Sequence, residues 1–186
     1  MVTTTPLTIE QFLEWSADLE HPYELIDGIP TRITPERYIN TAIARLLARY
    51  LDNSFEWYQI TYALEIELDT GNSRIPDLCV VSKALAKRLS GMTRAFARLG
   101  AEPPLIVVEV VSPSSGERDY QDKLQEYARV GAQEYWILDP DAQTASIYRL
   151  NEASEYTLCD ESELVSVAIP RLQALIIEAQ TTLLEE

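Results

Sequence analysis

Hydrophobic and polar residues follow patterns that change several times along the chain, and each change predicts a different element. Near the N-terminus, Thr8 followed by Gln11 forms a capping-box pattern, which predicts a helix that continues through Trp15. Tyr23–Ile26 is predicted to be a strand that enters a tight turn at residues 27–28, with a return strand after the turn. The N-terminal part therefore predicts a helix followed by a hairpin.

A second helix is predicted to begin at Thr34 and Pro35, because apolar residues then recur at spacings of three and four. These residues are Ile39, Ala42, Ile43, Leu46, Leu47 and Tyr50. Residues 64–68 instead alternate strictly between apolar and acidic. This alternation predicts a strand whose two glutamates, Glu65 and Glu67, face water.

Two later apolar runs are each interrupted by a single carboxylate. Residues 75–81 contain Asp77, and residues 105–111 contain Glu109. Continuous Val, Ile and Leu runs are typical of strands that are buried on both faces. An ionised carboxylate there is costly unless it is paired, and a hard cation is one natural partner for it. The interruptions therefore predict a metal site within a sheet.

The rest of the chain alternates between helix and strand patterns. A loop containing Ser114 and Ser115, which are predicted to form a turn and helix cap, leads into a helix that ends near Gly131. Residues 134–138 are predicted to be a strand, and residues 146–148 to pair back on it. The acidic C-terminal part has no clear pattern. One domain over residues 1–186, of mixed α/β class with a mixed sheet, fits these patterns best.

The net charge of −15 opposes nucleic-acid binding in general, because phosphate contacts need lysine and arginine. Residues 82–99 are an exception, with five bases and no acid. A solvated helix face is the preferred interpretation of this stretch, and a local basic strip is the alternative. The chain has one histidine and two cysteines far apart, which excludes the usual zinc sites. No run is apolar enough to span a membrane, so we expect a cytoplasmic protein.

The two interrupting carboxylates can act together if their strands are neighbours. Asp77 and Glu109 would then converge on one ion, and the following helix carries Asp119 and Lys123 four residues apart on one face. A lysine beside two carboxylates and a cation can activate water against a phosphodiester, either by positioning the water or by deprotonating it. From spacing alone, however, Asp119 and Lys123 are better interpreted as a surface ion pair.

Several motifs together resemble a known family. They are Y-E-L-I-D-G at 23–28, R-I-P-D at 74–77, V-E-V-V-S-P-S-S at 108–115, Asp119 with Lys123 and Tyr127, and G-A-Q-E-Y-W-I-L-D-P at 131–140. In order and wording they closely resemble the Uma-type restriction endonucleases, formerly a domain of unknown function, within the PD-(D/E)xK nuclease superfamily. The resemblance covers residues 8 to 175, which is nearly the whole chain.

The resemblance implies a restriction-endonuclease-like fold, with a central mixed β-sheet flanked by helices. It implies Mg²⁺, with Mn²⁺ as a substitute, held by Asp77 and Glu109, with the Val110 carbonyl as a further ligand. Lys123 would assist the attacking water, and Glu24 would orient water or a second metal. DNA would be the substrate, and a homodimer would be expected, because nucleases of this fold commonly dimerise to cut two strands.

Two positions depart from the pattern. The superfamily lysine stands two residues after the acid, where this chain has Val111, and the histidine common early in the second helix is missing around Asn40. Three interpretations compete: a DNA endonuclease, a catalytically inactive nuclease-fold interaction module, and a carboxylate-pair hydrolase such as a glycosidase. A carboxylate-pair hydrolase would leave Lys123 without a role in the reaction. The intact pair of Asp77 and Glu109 favours the endonuclease.

Overall fold

The strands form three sheets in the part of the chain that the computed structural model describes, residues 5–35, 37–62, 64–69, 71–113 and 116–184. In chain order the strands are β1 (Tyr23–Ile26), β2 (Ile29–Arg32), β3 (Ile60–Thr61), β4 (Glu65–Asp69), β5 (Asn72–Arg74), β6 (Leu78–Val80), β7 (Phe96–Ala97), β8 (Ile106–Val110), β9 (Glu134–Asp139), β10 (Thr144–Leu150) and β11 (Tyr156–Cys159). The helices are α1 (Ile9–Trp15), α2 (Tyr38–Leu51), α3 (Lys83–Leu89), α4 (Gly116–Tyr120), α5 (Asp122–Val130) and α6 (Ile169–Leu184). The predicted helix caps at Ser114 and Ser115 lie outside the described residues.

The central sheet has six strands in the order β11-β10-β9-β8-β6-β3. Only β8 and β9 are parallel neighbours among these described strands, so the sheet is mixed. Alternate residues of β8 enter two different cores: Val108 packs with α2 and α6, whereas Val107 packs with α3, α5 and β4. The predicted architecture, a central mixed sheet flanked by helices, is confirmed.

The N-terminal elements follow their sequence signals closely. Thr8 accepts from the backbone of Gln11 while the Gln11 side chain accepts from the backbone of Thr8, so the capping box of α1 is confirmed. The start of α2 is less well predicted, because the helix begins at Tyr38 and not at Thr34. Arg37 keeps an extended backbone just before the helix, and its guanidinium pairs with Asp141 at 2.9 Å.

The predicted helix from residue 116 to Gly131 is two helices. Its course breaks at Gln121, whose backbone is not helical (φ −123°, ψ −68°), and α4 and α5 lie on either side. Asp119 therefore belongs to α4 and Lys123 to α5. Gly131 ends α5 in the left-handed conformation (φ 84°), as the glycine signal predicts.

The prediction that the glutamates of β4 face water is wrong for Glu65. This side chain is buried, with 1% of its surface exposed, and it accepts a hydrogen bond of 2.7 Å from Ser73 and pairs with Arg94. β4 is the middle strand of the sheet β5-β4-β7, and the small core formed by α1, β1 and β7 lies on the side that Glu65 faces. An alternating pattern of apolar and acidic residues indicates that the apolar face of a strand is buried, but it does not exclude burial of the acidic face as well.

The basic stretch at residues 82–99 is largely neutralised by partners. Its pairs are Lys83 with Glu56, Arg88 with Glu102, Arg94 with Glu65, and Arg98 with Glu10 and Glu67. The stretch is therefore an ion-paired surface and not a separate basic strip. None of the described helices is long and apolar enough to cross a membrane.

Candidate active site

A cleft of about 630 Å³ opens where β6 begins and β8 ends, bounded by the β1-β2 hairpin and by α2. Its lining includes all five residues that the sequence proposes for a site, namely Glu24, Asp77, Glu109, Val110 and Lys123. Residues from four separate segments of the chain thus meet at one cleft.

Strand pairing brings the two interrupting carboxylates together. β6 and β8 are antiparallel neighbours with Leu78 opposite Val108, so the next step of the register sets Asp77 opposite Glu109. The Val110 N–H donates a hydrogen bond of 2.6 Å to Oδ2 of Asp77. The sequence predicts that Asp77 and Glu109 converge if their strands are neighbours. The strands are neighbours, and the two carboxylates do converge.

Asp77 differs from its predicted setting in one respect. It stands immediately before β6 and is half-buried, instead of lying inside a strand buried on both faces. Pro76 precedes it and has no N–H to contribute to a ladder, so regular pairing begins only at Leu78. The Asp77 carboxylate is consequently open to the cleft as well as bonded to β8.

Glu109 is the buried acid of the site, with 5% of its surface exposed. Its Oε1 atom lies 2.9 Å from the Lys123 ammonium and accepts a hydrogen bond of 2.7 Å from the Tyr127 hydroxyl. Burial raises the pKa of Glu109 to about 8, because the positive charge of Lys123 opposes the rise only in part while Asp77 and Asp119 add to it.

Lys123 bridges two carboxylates. Its Nζ atom lies 2.9 Å from Glu109 and 2.9 Å from Asp119, and all three side chains are buried. Burial opposes the charge of Lys123, but Glu109 and Asp119 outweigh burial and raise the pKa of the lysine above its ordinary value. Lys123 is therefore an ammonium at neutral pH. The ion pair between Asp119 and Lys123 that the spacing predicts is confirmed, but its predicted location at the surface is wrong, because the pair is buried.

Glu24 lies at the cleft and fixes the segment before Asp77. Its Oε1 atom accepts a hydrogen bond of 3.0 Å from the Ile75 N–H, and its Oε2 atom lies 3.9 Å from the Arg74 guanidinium. Arg74 in turn donates two hydrogen bonds, of 3.1 and 2.8 Å, to Glu126 on α5. These contacts tie β1 and α5 to the strand that leads into Asp77.

Asn40 is a site residue that sequence reasoning missed. Its side chain is buried and its Nδ2 atom donates to the carbonyls of Val110 and Val111, at 3.2 Å each. The carbonyl of Val110, a predicted metal ligand, is thereby oriented by α2. The available signal was a polar residue at a buried position of an amphipathic helix, next to Ile39.

The donor set at the cleft fits a hard cation. Among the described residues, no three His, Cys, Asp or Glu side chains form a group that could hold a metal ion. Asp77, Glu109 and the Val110 carbonyl nevertheless offer oxygen atoms from opposed strands. Mg²⁺ is commonly bound through one or two carboxylates while it keeps several waters, so two carboxylates and a carbonyl suit its chemistry.

Comparisons with known proteins agree with this picture. A family model described as "Uma2: Putative restriction endonuclease" matches residues 9–178. A crystal structure titled as a putative nuclease belonging to DUF820, from Anabaena variabilis, shares the fold with a TM-score of 0.69 and 19% identity, over 92% of this chain and 99% of that chain. No curated protein matches. The resemblance carried by the motifs is thus confirmed, and the chain belongs to the Uma2 family of putative restriction endonucleases.

Proposed function

We propose that this protein is a Mg²⁺-dependent endonuclease that hydrolyses phosphodiester bonds in DNA. One observation carries the proposal: in a chain of a restriction endonuclease family, Asp77, Glu109 and Lys123 meet at one cleft although they are far apart in sequence. A family match alone supports only the general class. The arrangement of acids and lysine supports the reaction.

Asp77, Glu109 and the Val110 carbonyl are the groups that would hold Mg²⁺, with Mn²⁺ as a substitute. The protein orients each of them beforehand: Val110 N–H holds Asp77, Tyr127 and Lys123 hold Glu109, and Asn40 holds the carbonyl. When bound, Mg²⁺ would supply Lewis acidity for the phosphoryl group and for the attacking water.

Lys123 acts in this proposal as a hydrogen-bond donor and a positive charge. Its raised pKa argues against a role as the base, which leaves positioning of the attacking water and stabilisation of charge on the phosphoryl oxygens. Asp119 keeps the ammonium in place through the 2.9 Å contact. Glu24, at the same cleft, is proposed to orient the water from the side of β1.

The first test is metal binding, which requires no assumption about the substrate. Titration calorimetry with Mg²⁺ and with Mn²⁺ should show binding to the wild type and none to Asp77→Ala. Asp18→Ala is the matched control, since Asp18 is exposed and lies outside the cleft. Equal binding by Asp77→Ala and wild type would place the metal elsewhere and refute the proposed site.

The second test is cleavage of plasmid and oligonucleotide substrates. Asp77→Ala and Glu109→Ala should abolish cleavage while circular dichroism shows a retained fold. At a pH where Glu109 is ionised, Lys123→Ala should keep metal binding and reduce turnover, whereas Lys87→Ala, on the surface of α3, should leave both unchanged. Wild-type turnover in Lys123→Ala would remove this residue from the mechanism.

A second candidate function is an inactive nuclease-fold interaction module. One observation favours it: the Lys123 ammonium already lies 2.9 Å from Glu109, so this acid has a partner without any metal. Metal binding separates the two candidates, because a module needs none. If neither Mg²⁺ nor Mn²⁺ binds, even with an oligonucleotide present, and no substrate is cleaved, the module is the better account.

Two further expectations remain predictions. A homodimer would place one active site at each strand of a DNA duplex, so we propose a homodimer if the protein cuts both strands. Sedimentation equilibrium should then give twice the 21.1 kDa chain mass. A cytoplasmic location is expected from the sequence alone, and fluorescence of a tagged chain in cells would test it.

A further inference from the structure

The cleft gathers three arginines that form no ion pair with any acid in the part of the chain that the structure describes. In an acidic chain, eight lysines and arginines pair with carboxylates among the described residues. Seven bases have no such ion pair there. Three of them, Arg32, Arg45 and Arg118, line the cleft, whereas Arg49, Lys87, Arg129 and Arg171 lie elsewhere. Positive charge left unpaired at a proposed phosphodiesterase site indicates an anionic ligand.

The three arginines approach the cleft from different elements. Arg32 ends β2, Arg45 lies in the third turn of α2, and Arg118 lies on α4 beside Asp119. The Nε atom of Arg118 is buried and has no hydrogen-bond partner among the described residues. That atom is closed to solvent, so it is the remaining guanidinium N–H groups of Arg118, at the lining of the cleft, that could meet a ligand, and a guanidinium is a suitable donor to phosphate oxygens.

An aromatic ring accompanies the arginines. Tyr62 follows the short edge strand β3, lines the same cleft and is 47% exposed. Its partial burial raises the pKa of its hydroxyl, and the positive charge of Arg45 is close enough to oppose that rise. An exposed aromatic ring beside arginines is the combination with which proteins bind single-stranded nucleic acid.

We propose that the cleft binds one unpaired strand of nucleic acid, with Arg32, Arg45 and Arg118 contacting phosphates on either side of the scissile bond and Tyr62 stacking on a base. This inference rests on the proposed nuclease function and adds its substrate class. The unpaired strand lies across the cleft between the β1-β2 hairpin and α2.

A single strand fits these features better than a duplex does. Bases within a duplex are already stacked on each other, so their faces are not available to Tyr62. A duplex also carries a second row of phosphates. These phosphates would lie beyond the arginines of the cleft and would be repelled by a molecule whose net charge is −15.

The test is binding of a fluorescein-labelled 15-nucleotide single strand, followed by anisotropy over a series of NaCl concentrations in EDTA. Arg45→Gln and Arg118→Gln should each weaken binding and reduce the slope of log K against log salt by about 0.7, the value for one phosphate contact on a single strand. Tyr62→Ala should weaken binding by about 5- to 150-fold with the slope unchanged, because stacking releases no counterions.

Arg49→Gln is the matched control. Arg49 lies on α2 one turn beyond Arg45, is exposed and does not line the cleft, so both affinity and slope should stay at wild-type values. Thermal unfolding of each variant verifies that the fold is retained. A wild-type affinity and slope in both Arg45→Gln and Arg118→Gln would overturn the proposal, and so would tighter binding of the matching duplex.

The failure of this inference is distinguishable from failure of the nuclease proposal. Strand binding is measured without metal and without cleavage, whereas the nuclease proposal is tested by Mg²⁺ binding and turnover. A reduced salt slope in the arginine variants supports the strand site even if Asp77→Ala binds Mg²⁺ normally. Cleavage that prefers duplex substrates would support the nuclease and overturn the single-strand assignment.

Discussion

At the scale of single residues, the ionisation of Glu109 controls when the proposed site can accept a cation. Burial raises the pKa of this carboxyl from its ordinary 4.5 to about 8, so below that pH the folded protein holds a proton there. A cation needs the carboxylate form. Proton and metal therefore compete for Glu109, and the competition ends as the pH rises through 8.

Metal binding should consequently depend on pH with a definite sign. We expect Mg²⁺ affinity to increase from about pH 6.5 to about pH 8.5 and then level off, with release of about one proton per ion at the acid end. Calorimetry in two buffers of different ionisation enthalpy measures that proton directly. Lys123→Met should shift the rise to higher pH, since it removes the charge that lowers the pKa of Glu109. Affinity independent of pH would contradict this account.

The hydroxyl of Tyr127 gives a second prediction at this scale. It donates a 2.7 Å hydrogen bond to Glu109 in a fully buried setting. Tyr127→Phe keeps the ring and leaves the acceptor without this donor, so we expect a loss of about 1–3 kcal/mol in the free energy of unfolding. Urea denaturation measures the loss.

Tyr120→Phe is the corresponding control, because Tyr120 is only partly buried and packs at the edge of the same core. We expect a smaller loss there. Equal losses in the two variants would mean that the buried hydrogen bond to Glu109 contributes no more than the hydroxyl of the partly exposed Tyr120.

Some site residues can be predicted from the sequence and others cannot, for physical reasons. Asp77 and Glu109 are visible because a charge inside an apolar run is costly and requires an explanation. Asn40 and Arg118 give no comparable signal, since a single polar residue on a helix is usually solvent-exposed. Only the fold shows that α2 and α4 turn these two residues towards β8 and the cleft.

At the scale of elements, a buried ion pair joins β5 to α5. Arg74 is 3% exposed and donates two hydrogen bonds to Glu126, while Glu24 lies 3.9 Å from the same guanidinium. Removing Arg74 alone leaves Glu126 as a buried carboxylate without this partner. Removing both partners avoids that cost, because buried pairs replaced by apolar residues are often neutral or stabilising.

A double-mutant cycle tests this argument. Arg74→Met should lower the free energy of unfolding by about 3–5 kcal/mol, and Arg74→Met combined with Glu126→Met should recover much of the loss. Urea denaturation of both single variants and the double variant gives the coupling energy. Additive losses would show that the pair does not act as a unit and that Arg74 matters for another reason, such as its contact with Glu24.

Elements with local signals are well predicted from the sequence, and elements shaped by distant partners are not. The capping box of α1 and the glycine that ends α5 are local, and both are confirmed. The alternation around Glu65 predicts one solvated face, but a second layer covers that face and supplies Arg94. The break between α4 and α5 at Gln121 likewise could not be predicted, because no glycine or proline marks it in the sequence.

At the scale of the whole molecule, charge imbalance is the dominant electrostatic feature. The chain has 30 acids and 15 bases, so half of the acids would stay unpaired even if every base paired with one acid. The C-terminal residues 151–186 hold eight acids and only Arg171 as a base. Mutual repulsion among these carboxylates opposes the compact state.

Salt should therefore stabilise the protein. Two effects compete, because salt screens the repulsion and also weakens exposed pairs such as Arg37 with Asp141. Exposed pairs are worth only about 0–1 kcal/mol each, whereas the excess of acids acts over the whole surface. We therefore expect the free energy of unfolding by urea to rise between about 0.02 M and about 0.5 M KCl.

Two single substitutions that change the net charge in opposite directions test whether repulsion among the acids causes this dependence on salt. Glu152→Gln removes an exposed acid from the acidic C-terminal part and should stabilise the protein at low salt, with the gain vanishing at high salt. Arg37→Gln adds to the imbalance and should destabilise at low salt only. If salt instead lowered the stability of the wild type, the exposed ion pairs would outweigh the repulsion among the acids. The surface acids would then stabilise the protein through their ion pairs.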